Sequence, residues 1–118
     1  MQEASVDIYH NPRCSKSRAT LDLLRERGID ASVIEYLKEP PDEIELRQLL
    51  DLLGISAREL LRTGEAPYKQ LGLQDQSLSE DKIIEAILKF PILMERPIVV
   101  TNGKARIGRP PEAVLEIL

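Results

Sequence analysis

The strongest constraint in this chain is a change of hydrophobic period that happens twice before Tyr36. Val6-Asp7-Ile8-Tyr9 alternates apolar and polar residues, the period of a half-buried strand. His10-Asn11-Pro12-Arg13 reads as a loop, and a helical stretch follows from about Ser15 to Arg27. Ala19, Leu23 and Leu24, with Thr20 beside them, supply its expected apolar face. Gly28 stands where a left-handed residue closes a helix. Ser32-Val33-Ile34-Glu35-Tyr36 is a second strand. A strand, a helix and a strand in this order call for a right-handed crossover with the two strands parallel.

The middle of the chain reads as helical. Pro40-Pro41-Asp42 marks a helix start, with Ile44, Leu46, Leu49, Leu50 and Leu53 as its buried stripe and Gly54 as its end. Ser56 and Glu59 have the spacing of a capping box for a short helix containing Leu60 and Leu61, closed at Gly64. Ser79 begins another helix, with Ile83, Ile84, Ile87 and Leu88 on its apolar side, and Pro91 stops it. Strands then return. Ile98-Val99-Val100-Thr101 and Lys104-Ala105-Arg106-Ile107 flank Asn102-Gly103, the strongest short hairpin signal in the sequence. Pro110-Pro111 opens a final helix ending at Leu118. The order βαβ, several helices, β-hairpin, α predicts an α/β protein with a mixed four-stranded sheet flanked by helices, the thioredoxin-like arrangement. The expected organisation is a single domain over 1–118 with a helical insertion at about 41–90.

Composition narrows the function. With no Trp and one Phe the core must be aliphatic. Sixteen Lys and Arg against 20 Asp and Glu leave a net charge of -4, which argues against a nucleic-acid partner. No apolar run approaches the roughly 20 residues of a membrane span, and MQEASVDIY lacks the basic and apolar regions of a secretory leader. A cytoplasmic location is therefore expected. One Cys and one His exclude an internal disulfide and argue against a metal site.

Cys14 is the most informative residue, because it follows a strand and stands at the first turn of a helix. The free amides of that turn, near Ser15, Lys16 and Ser17, favour thiolate over thiol and suit an oxyanion. Arg13, Lys16 and Arg18 add positive charge. A buried, inert thiol is the alternative. His10 either tunes the thiol or packs at the strand end. Ser17, which makes the motif C-x-x-S, either hydrogen-bonds the thiolate, caps the helix or faces solvent. Arg62 has the setting of a solvated helix surface, beside Arg58 and Glu59, whereas Arg96 and Arg109 each precede a proline at an element boundary.

These residues carry a resemblance. Ile8-Tyr9-His10-Asn11-Pro12-Arg13-Cys14-Ser15-Lys16-Ser17-Arg18 resembles the active-site segment of the glutaredoxin-coupled arsenate reductases. Leu60-Leu61-Arg62 with Pro67-Tyr68, then Arg96-Pro97-Ile98-Val99-Val100, then Gly108-Arg109-Pro110 match the same family in the same order. The resemblance covers nearly the whole chain from about Val6, and its specificity lies in the combination. It implies a thioredoxin-like fold with a helical insertion. It also implies a catalytic Cys14, an oxyanion held by Arg62, Arg96 and Arg109, and a tuning role for His10. Pro97 occupies the place where such folds carry a cis proline before the strand facing the cysteine; on its own the residue reads as the far commoner trans proline opening a strand.

An arginine at these positions suits a tetrahedral anion, because its guanidinium offers a rigid fork of donors and keeps its charge. A single thiol can supply only one bond to arsenic, so a second thiol must come from outside the chain. The resemblance identifies it as glutathione, a co-substrate rather than a bound cofactor, with glutaredoxin as the protein partner. Two other readings share the fold: a glutathione-dependent thiol reductase that ignores arsenate, and a regulator resembling the Spx proteins, which bind RNA polymerase. Many such regulators carry a C-x-x-C switch that Ser17 removes here.

Overall fold

The computed structural model describes residues 5–118; the reading of the first residues as leader-free lies partly outside that range. Two compact units divide the chain. One is formed by the residues up to Glu39 together with Arg96–Leu118, the other by Pro40–Glu95.

The first unit holds a four-stranded sheet in the order β2-β1-β3-β4. Strand β1 (Asp7–His10) pairs in parallel with β2 (Ser32–Glu35) and antiparallel with β3 (Ile98–Thr101), which pairs antiparallel with β4 (Lys104–Ile107). The βαβ and hairpin expectations are met. Asn102 and Gly103 take φ of 54° and 68°, the left-handed pair that a two-residue hairpin turn requires. Helix α1 (Ser15–Glu26) links β1 to β2, and Gly28 follows it at φ 73°. Val6, Ile8, Leu21, Leu24, Val99 and Val114 form the core cluster of this unit. Each fully buried aliphatic side chain of this size contributes roughly 1.5–3 kcal/mol by leaving water.

The buried face of α1 differs from the expected one. It consists of Ser17, Thr20, Leu21 and Leu24, while Ala19 is exposed and Leu23 only half-buried. The spacing is that of a regular helical stripe. Two of its four members are hydroxyl residues, so hydrophobicity alone misplaced it. The Thr20 hydroxyl can be buried because it donates to the Lys16 carbonyl at 2.9 Å. The final segment, Pro111–Ile117, is a 3₁₀ helix rather than an α-helix. Its Ala113 N–H bonds the Pro110 carbonyl at 2.9 Å, the i to i+3 pattern of short helical pieces.

The second unit contains α2 (Glu43–Leu53), α3 (Ala57–Leu60), α4 (Ala66–Gln70) and α5 (Glu80–Lys89). Asp42 caps α2 by accepting from the Glu45 N–H at 2.9 Å. Ser56 and Glu59 form the expected capping box, and Ser79 caps α5. Ile44, placed in the buried stripe by the sequence reading, is 71% exposed. It precedes Leu46 by two residues, about 200° around the helix, so it faces away from the stripe. Helix α4, the 3₁₀ turn Pro91–Leu93 and an isolated bridge between Leu61 and Met94 were not anticipated. No helix among the described residues is long and apolar enough to cross a membrane.

Candidate active site

The site begins where β1 ends. The Asn11 carboxamide oxygen accepts from the Arg13 N–H at 3.0 Å, and its carbonyl accepts from the Cys14 N–H at 3.0 Å. An Asn that bonds the backbone two residues on makes its own turn, so Asn11 shapes the loop that presents Cys14. Cys14 is the N-cap of α1, in extended conformation at φ -94° and ψ 123°. The first helical bond runs from the Arg18 N–H to its carbonyl at 3.0 Å. Its sulfur thereby faces the helix's first free amides, those of Lys16 and Ser17.

Two guanidinium groups reach the same atom. Arg109 places Nη2 at 3.5 Å from the Cys14 Sγ, and its Nε donates to the Arg96 carbonyl at 2.9 Å. The charge and donors of the Arg96 guanidinium also favour the thiolate over the thiol. Burial by itself pushes the Cys14 thiol up. The Ser17 N–H, the Arg96 side chain and the Lys16 N–H outweigh it and hold the thiol below its ordinary value. Cys14 remains partly exposed, so the sulfur combines anion-stabilising donors with access. The Arg96–Pro97 bond is cis, as the resemblance implied; a second cis bond, Arg109–Pro110, was not anticipated.

His10 and Ser17 meet directly, with 2.6 Å between His10 Nδ1 and Ser17 Oγ. The Ser17 oxygen also accepts from the Asn11 N–H at 3.0 Å. Burial lowers the His10 pKa. A neutral ring accepting the Ser17 O–H at Nδ1 fits that direction. The Ser17 side chain is therefore occupied by His10 and Asn11, and it is the Ser17 backbone N–H that acts on the sulfur.

Arg62 belongs to the helical unit. Its Nε donates to Glu65 at 3.2 Å and its Nη1 pairs with Glu95. Burial alone would lower its pKa, but the two carboxylates raise it above the ordinary arginine value. Sequence reasoning passed over Asn11 as a site residue. Its signal was present, since Asn before Pro in a short loop is a turn signature.

The ArsC family model matches residues 9–117. The chain belongs to the ArsC family. An arsenate reductase of Neisseria meningitidis is 51% identical over 114 residues, covering 96% of this chain and 97% of that one. A protein of Escherichia coli K12 called YfgD is 62% identical over 114 residues, 96% of each chain. The solved structure of an arsenate reductase from Vibrio cholerae superposes with a TM-score of 0.95 at 52% identity, over 99% of this chain and all of that one. In this ArsC-family chain the motif segments around Cys14, Arg96-Pro97 and Gly108-Arg109-Pro110 all belong to the sheet-bearing unit, and they meet at one sulfur.

Proposed function

We propose that this chain is an arsenate reductase whose nucleophile is the Cys14 thiolate and whose second thiol is glutathione. The observation that carries the reading is the sulfur at the start of α1, with the Lys16 and Ser17 amides, Arg96 and Arg109 around it. An anionic nucleophile attacking an anionic substrate is opposed electrostatically. Preorganised cations and amides offset that repulsion and stabilise the charge that develops on the oxyanion. Arg96 and Arg109 serve as these cations, and the family resemblance gives Arg62 the same task.

The chemistry balances with one enzyme thiol. The Cys14 thiolate forms an S–As bond as one arsenate oxygen leaves as water or hydroxide. A glutathione thiolate then attacks the Cys14 sulfur. An S–S bond forms, the S–As bonding pair departs with arsenic, and As(V) becomes As(III) while two thiols become a disulfide. Glutaredoxin attacks the glutathione sulfur of that disulfide and returns the Cys14 thiolate. The reaction runs in the cytoplasm, where glutathione is reduced. Cys14→Ser should abolish arsenate-dependent NADPH oxidation in an assay coupled through glutathione, glutaredoxin and glutathione reductase. Substantial remaining turnover would reject the assignment, and turnover of glutathionylated substrates without arsenate activity would replace it with a thiol reductase.

A further inference from the structure

Gly108 occupies a space that admits no side chain. A Cβ built on it would lie 2.6 Å from Thr20 Oγ1, 2.8 Å from Pro97 Cγ and 3.2 Å from Thr20 Cγ2. Its backbone is not left-handed, so space rather than conformation demands glycine here. The neighbours have little room to yield. Thr20 is fully buried in α1, with its hydroxyl tied to the Lys16 carbonyl at 2.9 Å. Pro97 is buried, and its carbonyl accepts from the Gly108 N–H at 2.9 Å. The end of β4 is thereby drawn against both α1 and the residue that follows Arg96.

We infer that Gly108 is a positioning residue for Arg109: its missing side chain lets the strand end close on Thr20 and Pro97, and that approach sets the Arg109 guanidinium at the Cys14 sulfur. The next residue after Gly108 is Arg109, whose Nη2 is 3.5 Å from Sγ and whose Nε is bonded to the Arg96 carbonyl. A methyl group at 108 must move β4 away from α1, from Pro97, or from both. Either motion carries the Arg109 backbone with it and lengthens the guanidinium–sulfur approach. Pro97 follows Arg96, whose carbonyl holds the Arg109 Nε, so the Arg109→Ala background is what separates the route through Arg109 from one through Arg96 or through loosened packing.

The inference rests on the reading of Cys14 and Arg109 as one site, but its test needs no arsenate turnover, so the two can fail separately. The rate of Cys14 alkylation by iodoacetamide is followed against pH in Gly108→Ala, Arg109→Ala and the double variant. Losing part of a cation's stabilisation should slow alkylation of Gly108→Ala roughly three- to tenfold below the thiol's midpoint, with the high-pH plateau unchanged. In the Arg109→Ala background the same glycine substitution should change nothing further, because coupled residues are not additive. Thr20→Ala, which removes two of the three close contacts and leaves the one to Pro97 Cγ, should recover part of the loss in Gly108→Ala, and the double variant also supplies a folded form if the single variant does not fold. A wild-type titration in Gly108→Ala overturns the inference. So does an undiminished effect in the Arg109→Ala background, or a folded Thr20→Ala/Gly108→Ala protein that alkylates as slowly as Arg109→Ala.

Discussion

Replacing Ser17 by Ala separates two ways in which one residue can serve the site. The Ser17 side chain is wholly buried, and its oxygen lies 2.6 Å from His10 Nδ1 and 3.0 Å from the Asn11 nitrogen. Both partners are themselves buried. The variant therefore leaves a ring nitrogen and a backbone N–H without the hydroxyl, each at a cost of about 1–3 kcal/mol. Partial relaxation makes the total about 3 kcal/mol, a large fraction of the roughly 5–15 kcal/mol that stabilises a domain. Such a loss lowers the melting temperature by roughly 12 °C. The backbone N–H that acts on the Cys14 sulfur survives the substitution. Thermal melting should thus show the full loss, while iodoacetamide alkylation of Cys14 at pH 7 stays within about threefold of wild type. An unchanged melting temperature would refute the hydrogen-bond reasoning. A more than tenfold fall in alkylation of the folded protein would show that the hydroxyl, not the amide, holds the thiolate.

Arg96→Gln removes a charge-assisted interaction with the sulfur, ordinarily about 1.5–3 kcal/mol; solvent at the partly exposed thiol reduces this. Roughly tenfold less thiolate below the midpoint is expected, at about 1.4 kcal/mol per factor of ten, and a wild-type alkylation profile would contradict it. His10→Gln addresses pH. Burial depresses the folded pKa of His10 below 6.5, so as pH falls the unfolded chain takes up its proton first. The stability tied to a neutral His10 is present above pH 6.5 and is lost below it. Urea midpoints measured at pH 7.5 and pH 5 should therefore differ less in His10→Gln than in wild type, and an equal difference would contradict the sign.

The parts of this fold that sequence reveals are those where local chemistry and tertiary structure agree. Asn102-Gly103 demands a hairpin turn whatever surrounds it, and Ser56 with Glu59 caps a helix by itself. Failures fall where distant groups decide. Nothing in the sequence marks the Ser17 and Thr20 hydroxyls as buried; they are buried because Ser17 pairs with His10 and accepts from the Asn11 N–H, and Thr20 donates to the Lys16 carbonyl. Cys14 was legible as a candidate site because strand, loop and helix start are contiguous around it. The family motif singled out Arg62, Arg96 and Arg109 together, and the bond from Arg109 Nε to the Arg96 carbonyl that couples two of them has no signature in either segment. Glu95, beside Arg96 in sequence, turns to Arg62 instead, a pairing across the helical unit that no periodicity marks.

The most direct test is the alkylation rate of Cys14 as a function of pH, measured with and without arsenate. Amides and guanidiniums gathered at that sulfur predict a midpoint clearly below the free-cysteine value of about 8.5, with arsenate slowing the reaction as it occupies the same donors. A midpoint at or above that value, with no protection by arsenate, would mean that the thiol is ordinary and that the oxyanion binds elsewhere or not at all.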